Sequence, residues 1–227
     1  MERKVIITKD GSHSISIPEM NVTYHSIHGA IQESKHVFIE AGLRYASELF
    51  NRLGPLHILE VGFGTGLNAL LTLIEADKIK MNVHYSALEL YPLTQQEYNF
   101  LNYCEALNVS LQNVFEQLHE CVWEKEAHIL PNFSLFKTNQ SLLNFTTDQF
   151  YDLVYFDAFA PSSQPELWTK QVFEKLYAMM SSNGILVTYC SKGDVRRAMQ
   201  SAGFAVEKIR GPVGKREMIR CKPGFKD

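Results

Sequence analysis

His57-Ile58-Leu59-Glu60-Val61-Gly62-Phe63-Gly64-Thr65-Gly66-Leu67-Asn68 is the stretch on which the reading of this chain turns. A short apolar run ends in a carboxylate, three glycines follow at alternate positions, and a helical pattern then begins. Ile58, Leu59 and Val61 read as a buried strand, while Leu67, Leu70, Leu71 and Ile74 recur at helical spacing. The glycines therefore occupy a strand-to-helix turn, where a Cβ would obstruct a ligand or forbid the positive φ of a tight bend. The free N–H groups of the helix start favour an anionic ligand group there.

The third glycine comes one place early for the G-x-G-x-x-G dinucleotide fingerprint, and no Gly-Lys-Ser/Thr triplet follows to make a P-loop. The pattern that remains, E-x-G-x-G-x-G, resembles the first motif of class I S-adenosylmethionine (SAM) methyltransferases, whose glycine loop packs beneath the methionine and ribose of SAM. Residues 81–89 read as the next strand and place Glu89 at its carboxyl end, 23 residues after Gly66. In a doubly wound sheet an acid at that position faces ribose hydroxyls. Both features point to a nucleoside-containing cofactor.

A length of 227 residues suits one domain with a small appended element, and 45% hydrophobic residues are ample for a core. No apolar run reaches membrane-spanning length, and Met1-Glu2-Arg3-Lys4 is not followed by a signal-peptide core, so a cytoplasmic protein without a membrane partner is expected. Cys104, Cys121, Cys190 and Cys221 are scattered, without a Cys-x-x-Cys pair, and read as reduced thiols with no metal site. His25, His28 and His36 lack a partner at ligand spacing and read as surface or pocket-lining residues. The net charge of −3 hides an asymmetry: from Lys192 onward there are ten Lys/Arg against four Asp/Glu. That is the mark of a basic patch on an otherwise acidic protein.

In chain order, residues 4–18 alternate around Asp10-Gly11 and read as a β-hairpin outside the core sheet. One or two helices lead to Gly54-Pro55. Residues 93–107 and 111–123 read as helices, 132–138 as a strand, and 148–157 as a buried strand. A helix over 166–180 is closed by Ser181-Ser182-Asn183-Gly184, and 185–189 is a strand. A short helix over 194–202 ends at Gly203, and two final strands flank Gly211-Pro212-Val213-Gly214 as a hairpin. Such alternation predicts an α/β fold with a mostly parallel, Rossmann-like sheet of the class I SAM-methyltransferase kind and a terminal antiparallel hairpin. The expected organisation is an accessory hairpin and helices over residues 1–53, packed on a core unit over 54–227.

Asp157 lies at a strand's carboxyl end, where ligands bind in such sheets, within Phe156-Asp157-Ala158-Phe159-Ala160-Pro161. It resembles the acidic-or-amide, Pro, Pro, aromatic loop of amino-group methyltransferases. Methyl transfer from a sulfonium needs a free amine lone pair, which a carboxylate can orient while an aromatic ring stacks on a base.

Several blocks are similar to one family. They are Tyr24-His25-Ser26 with Gly29-Ala30 and Glu33-Ser34-Lys35-His36-Val37-Phe38; the glycine loop through Asn68; and Glu89-Leu90-Tyr91-Pro92-Leu93-Thr94. The others are Asp157-Ala158-Phe159-Ala160-Pro161 with Pro165-Glu166-Leu167-Trp168-Thr169, then Gly193-Asp194-Val195-Arg196-Arg197 and Gly214-Lys215-Arg216-Glu217-Met218. The chain resembles the MnmC/MnmD family, the tRNA 5-methylaminomethyl-2-thiouridine methyltransferases. The resemblance implies N-methylation of the 5-aminomethyl group on a (2-thio)uridine at the tRNA wobble position, with SAM as cofactor and tRNA as partner. It implies Asp157 and Phe159 as catalytic residues, and Tyr24, Glu60, Gly62, Gly64, Gly66, Asn68 and Glu89 at the cofactor. Where the family often has Gly-Asp near adenine, this chain has Lys137-Thr138, so Thr138 or Asn139 is expected to hold that ring. Arg196, Arg197, Lys215 and Arg216 are the candidate RNA contacts. Family members are often fused to a flavin-dependent oxidase; no FAD domain is expected in this chain, and a separate oxidase is the implied pathway partner.

Two other readings share these residues: a SAM methyltransferase acting on a small-molecule or protein amine, and a non-catalytic nucleotide-binding module. SAM binding without NAD or ATP binding separates the last from the others, and salt-sensitive tRNA binding separates the first two.

Overall fold

The apolar strand stretches read from the sequence assemble into an eight-stranded sheet in a computed structural model that describes residues 2–50 and 54–224. The expected unit boundary at 53/54 falls against residues outside the described ones. The first small sheet comprises β1 (Lys4–Ile7), β2 (His13–Ile17) and β3 (Val22–Thr23), all antiparallel. The main sheet contains β4 (Leu56–Val61), β5 (Val83–Leu88), β6 (Ala127–Leu130), β7 (Phe133–Thr138), β8 (Tyr151–Phe156), β9 (Met180–Thr188), β10 (Phe204–Arg210) and β11 (Glu217–Pro223). Their order is β10-β11-β9-β8-β4-β5-β7-β6. The central run β7-β5-β4-β8-β9 is parallel, and β6, β11 and β10 each join antiparallel.

Register determines what emerges from the sheet. Val61 pairs with both Leu88 and Phe156, and Leu88 pairs with Thr138. The residues that follow, Gly62, Glu89 and Asp157, therefore leave the sheet along one edge. The chain runs outward from β4 through β5 to β7, then returns to β8 on the other side. The crevice between these two directions is where ligands bind in open α/β sheets.

The strands are buried on both faces. Ile58, Tyr85 and Tyr155 pack in one apolar cluster, and Leu59, Val154 and Phe156 pack in another. On the first face lie α1 (Ala30–Ser34), a π-helical segment (Lys35–Arg44), α2 (Tyr45–Leu49), α3 (Leu67–Lys78), α4 (Gln95–Asn99), α5 (Tyr103–Ala106) and α6 (Gln112–Glu120). On the second lie α7 (Lys170–Ala178) and α8 (Gly193–Ser201).

The N-terminal sheet is attached by an arrangement that no local pattern announces. The side chains of Thr8, Ser12 and Asp10 accept the N–H groups of Ala30 (3.2 Å), Ile31 (3.3 Å) and Gln32 (2.9 Å). The β1–β2 turn thus caps the first turn of α1, satisfying donors that a helix start leaves free. Asn102 holds the same turn, accepting the His13 N–H at 2.8 Å and donating to the Gly11 carbonyl at 3.0 Å.

Five local expectations change. The helix read over 93–107 is two short helices interrupted where Asn102 turns to the hairpin, and α4 begins with a Thr94–Glu97 capping box. The hairpin gains a third strand, β3. Residues 181–184, read as a helix stop, belong to β9 beside a register shift, and α7 is preceded by a 3₁₀ turn over Pro165–Trp168. Strand β6 was not read from the sequence, although the Pro131-Asn132 dipeptide that turns it into β7 is a turn signal.

Candidate active site

The carboxyl ends of β4, β5 and β8 open onto a cavity of about 280 Å³, roofed from the N-terminal sheet by Ile17, Met20, Tyr24 and His25. Local chemistry explains each wall. Gly62 has φ +93°, and a Cβ there would lie 2.9 Å from the Asp157 carbonyl oxygen, so only glycine lets the β4 and β8 loops touch. Gly64 has φ +51°, and a Cβ there would lie 2.9 Å from the Tyr24 ring. Gly66 caps α3 and lies beside His119, away from the cavity lining.

Glu89 accepts the Gly64 N–H and the Tyr91 N–H, both at 2.8 Å, so one carboxylate braces the glycine loop and its own. Arg3 clamps the other side, donating to the Tyr91 carbonyl at 2.5 Å and pairing with Glu97 at 3.1 Å. Tyr24 and Phe159 meet edge to face at 5.2 Å across the cavity. Burial, with the nearby Glu89 charge, pushes the Tyr24 phenol up to about 12, so it stays neutral.

At the base, the Asn68 amide donates to Glu60 at 2.9 Å and to Asp157 at 2.8 Å. Glu60 is fully buried, and burial raises its carboxyl well above the ordinary value against the Asn68 hydrogen bond. Asp157 is half-buried at the cavity wall; burial raises it too, and the Glu33 carboxylate adds to this while Asn68 and Lys215 oppose.

The loop after Asp157 is held at successive backbone groups. Asp157 N–H donates to the Val61 carbonyl at 3.0 Å, and Tyr189 donates to the Ala158 carbonyl at 2.9 Å. Gln164 accepts the Phe159 N–H and Trp168 donates to the Phe159 carbonyl, both at 2.8 Å. The backbone that carries the Phe159 ring is thereby fixed two residues past Asp157.

Thus the structure brings together Tyr24, Gly62, Gly64, Asn68, Glu89, Asp157 and Phe159, with Glu60 behind them. Thr138 and Asn139 are elsewhere: the fully buried Thr138 hydroxyl donates to Glu124 at 2.5 Å, and the Asn139 N–H meets the same carboxylate at 3.1 Å. Gln140, Ser141 and Leu142 line that wall instead, because the chain turns back only after residue 139. The neighbouring Lys137 is buried, donating to the His119 carbonyl at 2.6 Å with its ammonium 4.5 Å from the centre of the Trp123 ring. Arg3 and Met20 carried no sequence signal, whereas His25, expected as a surface or pocket-lining histidine, lines the cavity. Burial lowers His25 to about 4, so it is neutral.

Of the basic candidates, Arg216 is exposed on the β10–β11 turn and Arg197 is ion-paired with Asp194. Arg196 is half-buried, with an Nε that has no hydrogen-bond partner among the described residues. Lys215 turns inward onto Glu33 at 2.7 Å. Among the described residues no helix is long and apolar enough to cross a membrane, and no group of three or more His, Cys, Asp and Glu side chains is placed to hold a metal ion.

Comparison with known proteins shows the family and the fold. A family model described as S-adenosyl-L-methionine-dependent methyltransferase matches residues 106–223. A relative from Leptospira interrogans, the tRNA 5-methylaminomethyl-2-thiouridine biosynthesis bifunctional protein MnmC, is 31% identical over 219 residues, covering 86% of this chain and 32% of the relative. Its namesake from Burkholderia thailandensis is 28% identical over 240 residues, covering 95% of this chain and 34% of the relative. The chain thus spans about a third of the curated relatives it matches. The crystal structure of MNMC2 from Aquifex aeolicus superposes with a TM-score of 0.81 at 25% identity, covering 99% of this chain and 73% of that one. Spermidine synthase from Thermotoga maritima shares the fold alone, with a TM-score of 0.52 at 12% identity, covering 99% of this chain and 70% of that one.

Proposed function

This chain belongs to the S-adenosyl-L-methionine-dependent methyltransferase family, and from that premise we propose that it methylates the 5-aminomethyl group of the (2-thio)uridine at the tRNA wobble position. The observation that carries the reading is the Asp157 carboxyl, held by Asn68 at 2.8 Å on the wall of a cavity whose Tyr24–Phe159 ring pair can face a base. The likeness to MNMC2 along 99% of the chain and the names of the MnmC relatives support the same substrate.

The residues present fit SAM. Asn68 Oδ1 is buried with no partner among the described residues, on a cavity wall, and suits a ligand N–H donor. The glycine loop leaves a cradle that side chains would fill, and Glu89 keeps acceptor capacity for ribose hydroxyls after its two backbone bonds. When bound, SAM supplies a methyl group on an electrophilic sulfonium. Gln140, Ser141 and Leu142, which line the cavity where Thr138 and Asn139 do not, are the residues assigned to the adenine in this reading.

The protein's own part is to deliver a neutral, aligned amine. An alkylammonium in water holds its proton at neutral pH. Asp157 attracts that cation, takes a proton from it, and orients the free amine through an N–H bond. Burial serves both ends of this transfer, since it raises the proton affinity of the carboxylate and lowers that of the amine. Phe159, fixed by Gln164 and Trp168, holds the base so that the nitrogen lone pair lies in line with the transferring carbon. Arg196, Arg197 and Arg216 are the proposed phosphate contacts. A separate flavin oxidase and a cytoplasmic setting complete the proposal.

The test is transfer of labelled methyl from SAM to tRNA taken from cells lacking this protein, followed by nucleoside analysis. Label in 5-methylaminomethyl-2-thiouridine is the expected result; label in another nucleoside, or none, would reject the substrate.

A further inference from the structure

The Lys215 ammonium lies 2.7 Å from Glu33 Oε1 and 3.9 Å from the centre of the Tyr189 ring. Glu33 is only 6% exposed, and its other oxygen accepts the Ser26 N–H at 2.7 Å. Tyr189 donates to the carbonyl of Ala158, one residue past Asp157. Glu33 and Lys215 are 182 residues apart, yet they meet at the face of Tyr189, whose hydroxyl is bonded to the residue after Asp157. The turn that carries Lys215 is seated there as well, because a Cβ on Gly214 would collide with the His28 ring. A surface lysine keeps its ammonium in water. This one is folded onto an acid and an aromatic face.

Resting on the amine methylation above, we propose that Lys215 and Glu33 are positioning residues for that step, a fixed charge pair that governs when Asp157 can accept the proton of the incoming ammonium. Among the described residues, the groups that act on Asp157 come from several elements, the buried neutral Tyr85 of β5 among them. From α3 comes the Asn68 amide, with Glu60 of β4 on the same nitrogen. From α1 comes Glu33, whose charge raises Asp157, and from the terminal hairpin comes Lys215, which lowers it. Tyr189, past the end of β9, is held neutral by burial. Glu33 and Asp157 together draw a cation into the site, and Lys215 keeps the pair from holding Asp157 protonated.

The step balances. The substrate ammonium gives one proton to the Asp157 carboxylate, and the freed lone pair forms the N–C bond as the S–C bond of the sulfonium breaks. The electron pair of that bond stays on sulfur, which leaves as a thioether, and the positive charge ends on the product ammonium. An early protonation of Asp157 blocks the first transfer, so activity falls on the acid side with the titration of this carboxyl.

The two residues oppose one another, which gives the test its sign. The pH dependence of kcat and of kcat/KM for tRNA is measured for wild type, Lys215→Met, Lys215→Arg and Glu33→Gln. The acid limb is expected to move up by about one pH unit in Lys215→Met and down by a similar amount in Glu33→Gln, with Lys215→Arg near wild type. Loss of fold cannot move one limb in two directions. A Lys215→Met enzyme with an unmoved limb and kcat, a raised KM for tRNA and a flatter salt dependence would overturn the assignment and return Lys215 to the phosphate contacts. Carboxyl NMR titration of Asp157 in the same variants reads the charge pair without turnover. Opposite shifts there support the assignment even if the wild type methylates no tRNA, an outcome that rejects only the functional reading; equal or absent shifts overturn it.

Discussion

The Asn68 side-chain amide donates to Asp157 Oδ2 at 2.8 Å, while the same nitrogen donates to Glu60 Oε1 at 2.9 Å. Asn68 stands in the first turn of α3, and Asp157 follows the last residue of β8. One amide therefore ties the glycine-loop helix to the loop that follows β8.

Asp157→Ala is expected to lose more than the roughly hundredfold typical of one proton-transfer group, because orientation goes with it. Asp157→Asn should retain some transfer, since its amide oxygen still accepts an N–H bond. Wild-type activity should rise with pH through the raised Asp157 titration, and in Asp157→Asn this limb should give way to one that follows the titration of the substrate amine itself. Single-turnover rates with SAM and tRNA saturating check all three.

Glu60 links burial to pH-dependent stability. Its carboxyl is raised well above the ordinary value of 4.5, mainly by burial. Between that value and the raised one, the native state holds a proton that the unfolded chain has released. This group's contribution to stability therefore falls as pH rises through the window. Glu60→Gln keeps an acceptor for Asn68 and should flatten the decline of Tm with pH; an unchanged slope would show Glu60 to be charged in the folded protein.

Gly64→Val places a β-branched residue at φ +51° with its Cβ 2.9 Å from the Tyr24 ring. The strain is worth about 1–3 kcal/mol, and Tyr24 must leave the cavity. SAM affinity measured by calorimetry should fall at least about tenfold, roughly 1.4 kcal/mol, in a protein that still unfolds cooperatively.

Asp10→Ala removes the carboxylate that caps Gln32 and braces Ser12. Loss of such a cap costs about 0.5–2 kcal/mol. Because the N-terminal sheet also supplies Tyr24 and His25 to the cavity, SAM affinity should weaken together with denaturant stability.

Charge-removing substitution of Arg196, Arg197 and Arg216 together should weaken tRNA binding and flatten its salt dependence while sparing SAM affinity. A salt slope equal to that of the wild type would return these residues to an ordinary solvated face.

What the sequence determined by itself is local and periodic. The run from Ile58 to Leu71 contains its own strand, turn and helix, and Glu89 and Asp157 end apolar runs, so the sheet, its cavity edge and the two carboxylates were legible from spacing. Glycine at 62 and 64 was legible as well, because positive φ is a property of the residue's own backbone. Only the tertiary structure decided that Thr8, Asp10 and Ser12 cap a helix some twenty residues away, bringing Tyr24 and Arg3 onto the cavity. It also turned Thr138 away toward Glu124 and folded Lys215 inward to Glu33. The reason is physical. Periodicity reports which face of an element is apolar, whereas a polar side chain goes to whichever donor or acceptor the folded chain has stripped of water, and that partner can lie 182 residues away.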